Sequence, residues 1–211
     1  MTLRETLRDL PALAGPLPEL DVAQASGDPV EQFLRWFAEA VAAGVAEPHA
    51  MTLSTAGPTA RVLLCKDVRD GAWEFATDAR SAKARAIARD DAVALTFWWQ
   101  PLGRQVRITG RARPAGRDVS AADFLSRSTA SRAAALATRH GEAAAPGEVA
   151  AAFDAAERRL HEEPDFVLES WTVYRVVPSE VEFWQGRTDR AHVRLVYRLA
   201  DGGWERQVLF P

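Results

Sequence analysis

Arg61-Val62-Leu63-Leu64-Cys65-Lys66 opens a stretch, Ala60 to Gly110, from which the architecture of this chain follows. After a turn at Asp70-Gly71 comes Trp73-Glu74-Phe75-Ala76-Thr77, then a helix signalled by Ser81 with Lys83 and Arg85 in its first turns. Val93–Trp99 and Arg104–Gly110 follow, joined by Gln100-Pro101-Leu102-Gly103. The Asp-Gly dipeptide predicts a hairpin pairing Arg61–Lys66 with Trp73–Thr77. A meander of antiparallel strands with inserted helices points to a mainly β, α+β chain closing into a small barrel, not a parallel α/β sheet. Basic and amide side chains interrupt strands otherwise built for burial, and such a conflict marks a binding site.

Toward the N-terminus, Asp28 caps a helix with Pro29 at its first position, running to about Ala43. Phe33, Trp36, Phe37, Ala40 and Val41 recur at helical spacing and form its core face. Residues 1–28 read as an arm with a short helix near Thr2–Leu10, and residues 29–211 as one domain. A strand at Ala50–Ser54 precedes a turn around Gly57-Pro58. Toward the C-terminus, helices are expected from Ser120, over Ser131–Thr138 and over Glu148–His161. Strands follow at Ser170–Val177, Val181–Trp184, Arg190–Leu199 and Trp204–Phe210.

The 211 residues are 47% hydrophobic and 26% charged, ordinary for a globular protein that buries a core. A net charge of −3 argues against nucleic-acid binding. The single Cys65 excludes an internal disulfide framework, and the four histidines show no metal-ligand spacing. No apolar run reaches the ~18 residues of a membrane helix. The N-terminus lacks a signal-peptide core, so the expectation is a soluble cytoplasmic protein without membrane partners.

Three clusters carry candidate chemistry. Ser81 as N-cap, with Lys83 and Arg61, makes a phosphate cradle, because a helix start offers free N–H groups and a positive dipole end. The alternative is a solvated basic helix end. On a strand, Arg190, His192 and Arg194 share one face, where an anion or water must separate the charges. Glu182-Phe183-Trp184-Gln185-Gly186 offers either an aromatic wall with a tight turn or plain core packing. Ser126-Arg127 and Ser131 flank a helix start, as anion ligands or as caps.

Taken together, these segments resemble the pyridoxamine 5′-phosphate oxidase family from roughly Asp28 to Pro211. The match rests on residues 61–66, Ser81-x-Lys83-x-Arg85, Trp99-x-Pro-Leu-x-Arg-Gln-Val, Phe124-x-Ser-Arg127 and Ser131. Glu182-Phe-Trp-Gln-Gly186, Arg190-x-His192-x-Arg194, Tyr197 and Gly203-Trp204 complete it. The resemblance implies an FMN-binding split β-barrel acting as a homodimer with flavins at the subunit interface. Residues matching Arg61 and Lys83 then hold the FMN phosphate beside Ser81. Val62, Leu63, Leu64, Lys66, Thr77 and Gln105 line the flavin, and Trp184 and Arg194 reach it from the partner subunit. Lys66, Arg127 and Ser131 hold the substrate phosphate, while Arg190 and His192 lie over the substrate ring as the catalytic pair. The implied reaction passes hydride from C4′ of pyridoxamine or pyridoxine 5′-phosphate to flavin N5. Dioxygen then accepts the electrons as hydrogen peroxide and pyridoxal 5′-phosphate is released.

The chain departs from the family at four places. Ala82 stands where an arginine usually neighbours the phosphate-binding lysine, and Asp123 where a tyrosine meets the substrate phosphate. A carboxylate there opposes a phosphate unless Arg127 pairs with it. His140-Gly141 replaces a Gln-Ser pair near the flavin, and the arm lacks an Arg-Arg-x-Tyr segment. These losses keep two other readings open. One is an oxidase of another reduced ring, as in phenazine biosynthesis, against which Lys66, Arg127 and Ser131 are retained. The other is a non-catalytic flavin or B6 binder, against which Arg190 and His192 both persist.

Overall fold

The computed structural model describes residues 1–57 and 59–211, so Pro58 of the expected Gly57-Pro58 turn lies outside the described residues. In chain order the elements are α1 Leu3–Asp9, α2 Pro29–Ala42, β1 Ala50–Thr55, β2 Thr59–Leu64, β3 Asp67–Arg69, β4 Ala72–Asp78 and α3 Ala82–Arg89. Then come β5 Ala92–Trp99, β6 Arg104–Pro114, α4 Arg117–Ser126, α5 Thr129–Ala137 and α6 Glu148–Glu162. β7 Trp171–Gln185, β8 Val193–Ala200 and β9 Gly203–Leu209 complete the chain. The strands form one sheet in the order β2-β1-β5-β6-β7-β4-β3, with β8 on β7 and β9 on β8. The fold is therefore α+β around an antiparallel sheet, as the alternating runs predict. None of the helices among the described residues is long and apolar enough to cross a membrane.

Chain contacts divide the molecule into two compact units. The first comprises Met1–Thr52, Ala94–Thr109 and Pro178–Pro211. Here the Asp28 carboxylate accepts from the N–H groups of Val30 and Glu31 (2.7 and 3.0 Å), and Pro29 opens α2. The helix buries Phe33, Trp36 and Ala40, and Trp36 meets Phe183 edge-on at 5.2 Å. Val41, expected inside, is exposed; Gln32 turns inward instead, because its Oε1 accepts the Ser26 N–H at 3.0 Å. The polar centre of this unit is Gln185, fully buried on β7. Its Oε1 accepts from Arg104 Nε at 2.9 Å and its Nε2 donates to the Leu102 and Gly186 carbonyls. Arg104 itself lies 4.3 Å over the Trp36 ring and donates to Glu39 at 2.5 Å.

The second unit comprises Leu53–Val93 and Gly110–Val177. β4 pairs with β7 from Trp73↔Val176 to Asp78↔Trp171, with Phe75 stacked on Tyr174 at 5.4 Å. Phe124 of α4 packs edge-on against Trp171 at 5.9 Å. Ala133, Ala156 and Leu160 join α5 to α6.

Four expectations fail on local grounds. Asp70 and Gly71 both adopt positive φ (48° and 75°), which makes a two-residue loop closing Arg69 on Ala72. The partner of β4 across that loop is thus β3, and Arg61–Leu64 belongs to β2 beside β1. The two strands expected around Pro178 are one, β7. Its partners on one edge cover 171–176 and 180–185, so no ladder bond on that edge is asked of the proline nitrogen. α4 begins at Arg117 rather than at Ser120, whose hydroxyl donates to the Gly116 carbonyl and accepts from Val173 N–H instead of capping. Finally, β8 starts only at Val193.

Replacing Gln185 with leucine leaves Arg104 Nε and two carbonyls without partners in a dry site. We expect a loss of roughly 3 kcal/mol, seen as a lower urea midpoint at unchanged slope. An unchanged midpoint would contradict the role given to this amide.

Candidate functional site

One cluster of candidate residues lies in the second unit, where β4 runs into α3. Ser81 caps the helix, its Oγ accepting from Ala84 N–H at 3.3 Å, and lies 3.4 Å from Thr77 Oγ1. Lys83 Nζ donates to that same Thr77 oxygen at 3.1 Å. On β2, Arg61 Nη1 reaches Thr55 Oγ1 at 3.5 Å. Burial, then the charge of Arg61, lowers the Lys83 ammonium below the ordinary lysine range, with Asp78 opposing. Asp78 is committed to Arg80 through bonds of 2.6 and 3.1 Å. Among the described residues, no carboxylate comes within 4.0 Å of either Arg61 or Lys83. Two cations, two hydroxyls and a helix N-terminus could together hold a multiply charged oxyanion such as a phosphate.

Val62 and Leu64 are exposed on β2, and Leu63 is half-buried. Burial pushes the neighbouring Cys65 thiol up to about 12, which removes it as a nucleophile near neutral pH. His140 Nε2 lies 3.3 Å from Asp78 Oδ2.

A polar cavity of about 470 Å³ in the same unit is lined by Lys66, Arg69, Glu74, Asp118, Asp123 and Ser126. Arg69 and Arg175 both engage the buried Glu74, which leaves Lys66 as a lining cation without a carboxylate partner among the described residues. Arg127 is the C-cap of α4, Ser128 caps α5 and Ser131 lies in its first turn, so Ser126-Arg127 and Ser131 flank a helix start as expected. Arg127 Nη2 donates to the Ser131 carbonyl at 2.9 Å, and its guanidinium lies 4.3 Å over the Trp171 ring. An Asp123–Arg127 ion pair, the condition under which the carboxylate would not oppose a phosphate, is absent among the described residues. Asp123 Oδ2 instead accepts from Trp171 Nε1 at 2.7 Å.

A separate cluster of candidate residues lies in the first unit. Trp184 and Arg194 face each other across the β7–β8 ladder. Glu182, buried in the middle of β7, holds Arg194 by bonds of 2.8 and 3.2 Å and also accepts from Arg107 at 2.5 Å. A carboxylate inside a run of apolar residues was the available signal for this clamp, and the sequence reading assigned it no part. Gln105 is half-buried on β6.

Arg190, His192 and Arg194 do not share a strand face. Arg190 lies in the turn before β8 with φ +67°, exposed. That turn is tied by Asp189, whose carboxylate accepts from Ala191 N–H and from Arg187, holding its own carboxyl down at about 2. His192 Nδ1 accepts the Arg187 N–H at 3.0 Å, so the neutral ring carries its proton on Nε2. The imidazole lies 4.8 Å from the Trp184 ring.

Residues 37–162 match the model of the pyridoxamine 5′-phosphate oxidase family, and 171–211 that of the pyridoxine 5′-phosphate oxidase C-terminal dimerisation region. The chain is 42% identical over 194 residues to a pyridoxine/pyridoxamine 5′-phosphate oxidase of Thermosynechococcus vestitus, covering 90% of this chain and 92% of that one. Among solved structures it resembles PhzG from Burkholderia lata 383 in complex with tetrahydrophenazine-1-carboxylic acid. The TM-score is 0.83 and the identity 25%, over 93% of this chain and 100% of that one. A pyridoxamine 5′-phosphate oxidase-related, FMN binding protein from Nostoc punctiforme shares the fold at TM-score 0.70 and 18% identity, over 84% and 96% of the two chains.

Because the fold depresses the Lys83 ammonium, its charged form at neutral pH disfavours folding. The Lys83→Met apoprotein is expected to melt no lower than the wild type at pH 7. The difference should shift in the wild type's favour as pH rises toward the ordinary lysine value of 10.5. Its affinity for a phosphate monoester should fall about tenfold or more. A clearly lower melting temperature at pH 7 would contradict an uncompensated Lys83.

Proposed function

The chain belongs to the pyridoxamine 5′-phosphate oxidase family and is a flavoprotein oxidase; from that premise we propose that it converts pyridoxamine or pyridoxine 5′-phosphate to pyridoxal 5′-phosphate, with FMN as cofactor. Dioxygen is the electron acceptor and is reduced to hydrogen peroxide; from the pyridoxamine phosphate, water hydrolyses the oxidised imine to the aldehyde and ammonia leaves. The observation that carries the reading is that the cations of two candidate anchors in one unit, Arg61 with Lys83 and Lys66 with Arg127, are paired to no carboxylate among the described residues, although Arg127 is not among the residues that line the cavity of Lys66. Cofactor and substrate each bring one phosphate, and each anchor takes one.

Arg61, Lys83 and the hydroxyls of Thr77 and Ser81 would hold the FMN phosphate. The chemistry FMN supplies when bound is two-electron acceptance. Val62, Leu63, Leu64 and Gln105 line the ring, and Trp184 and Arg194 are contributed across a homodimer interface. The match of 171–211 to a dimerisation region supports that assembly. Lys66, Arg127 and Ser131 bind the substrate phosphate. Arg190 orients and polarises the substrate, and His192, with Nδ1 occupied, presents Nε2 to position it or move a proton. Residues 29–211 then act as one domain with 1–28 as its arm, in the cytoplasm.

The likeness to PhzG favours one second reading, oxidation of another reduced ring compound. Retention of Lys66, Arg127 and Ser131 counts against it.

Anaerobic mixing of FMN-loaded protein with pyridoxamine 5′-phosphate should bleach the flavin band near ~450 nm, with recovery on admitting air. A band that stays yellow would contradict B6 oxidation. Arg190→Ala and His192→Ala should each lower turnover by roughly 100-fold while flavin stays bound. Full turnover in both variants would remove the roles assigned to them.

A further inference from the structure

A carboxylate beside a phosphate anchor normally weakens it, either by repelling the ligand or by neutralising the cation. Asp123 lines the cavity with Lys66, yet it does neither in the way its position implies. Its Oδ2 accepts the Trp171 indole N–H at 2.7 Å, and no oxygen of Asp123 comes within 4.0 Å of Arg127 nitrogen among the described residues. Arg127 lies instead on the face of that same indole, 4.3 Å from Cζ to the ring centroid. Its Nη2 is fixed on the Ser131 carbonyl, and its Nε is buried with no partner.

We propose, resting on the oxidase reading, that Asp123 is a positioning residue of the substrate-phosphate anchor: through Trp171 it orients the Arg127 guanidinium without neutralising it. An indole has one N–H, so a single acceptor selects one of the two ways the ring can be turned. The Phe124 edge at 5.9 Å confines it from the side. With the ring fixed, the cation–π contact and the Ser131 carbonyl determine the plane of the guanidinium. Had Asp123 paired with Arg127 directly, the anchor would carry little net charge toward a phosphate. Burial lowers the Arg127 guanidinium from its ordinary value and Asp123 opposes that shift, so the carboxylate supports the cation from a distance.

The role separates from the charge by substitution. Asp123→Asn keeps an oxygen for the indole N–H and removes the negative charge; Asp123→Ala removes both. The readout is the ratio of dissociation constants for pyridoxal and pyridoxal 5′-phosphate, titrated into the FMN-loaded protein without turnover. Asn should raise this preference for phosphate about threefold, as a repelling charge is lost. Ala should lower it about tenfold, as Arg127 loses its orientation. Shifts in the same direction for both variants would overturn the inference. Joint gains would make Asp123 a repelling charge only, and joint losses would make the charge itself the needed group.

Should Asp123→Ala not fold, Trp171→Phe removes the donor and keeps a ring under Arg127, and it is expected to lose phosphate preference too. Where both fold, the double variant should lose no more than the larger single loss; additive losses would overturn the inference. A wild type that binds pyridoxal and its phosphate equally also overturns it. Bleaching by pyridoxamine 5′-phosphate tests the oxidase reading separately.

Discussion

Arg61 and Lys83 are both half-buried, the charge of Arg61 helps to lower the Lys83 ammonium, and neither meets a carboxylate among the described residues. Much of the second unit follows from that constraint. Placing like charges in a low-dielectric setting is unfavourable and persists only where surrounding structure imposes it. Here β4 is fixed along β7, so Thr77 arrives with its hydroxyl beneath Lys83, and Ser81 starts α3 at the same point. Asp78, the nearest acid, is occupied by Arg80. The fold thus keeps an electrostatic cost at this helix start.

The other partly buried cations show the contrast. Arg104 meets Glu39, Arg107 and Arg194 share Glu182, Arg175 meets Glu74, Arg187 meets Asp189, and Arg132 donates to two backbone carbonyls. Those arginines brace strands and turns. Among the described residues, Arg61, Lys83 and Arg127 are met by hydroxyls, an aromatic face and one carbonyl and by no carboxylate. Arg194 is an intermediate case: Glu182 holds its Nε and Nη2, and Phe210 O accepts from Nη1, so its direction is set before any ligand arrives.

Local signals carried much of this into the sequence. Asp28-Pro29 and Ser81 define helix starts because a cap is a short-range interaction between a side chain and N–H groups two or three residues on. Ser81 and Lys83 were legible together for the same reason, while the contact of Lys83 with Thr77 was not read from the sequence. Register was not legible. The partner of β4 was decided by two positive-φ residues, and the continuity of β7 through Pro178 by where its neighbours end. The sharing of one face by Arg190, His192 and Arg194 assumed a strand that Asp189 prevents by tying the turn. Asp123 reads as an intruding charge until Trp171, 48 residues away, is brought to it by the fold.

The central claim is that the Arg61–Lys83 cradle exists to take a phosphate. Calorimetric titration of the apoprotein with FMN and with riboflavin, which differ only by that group, tests it most directly. FMN is expected to bind at least about 100-fold more tightly, the contribution of two charge-assisted contacts. Equal affinities would contradict the account, because the two cations would then be held uncompensated for some other ligand.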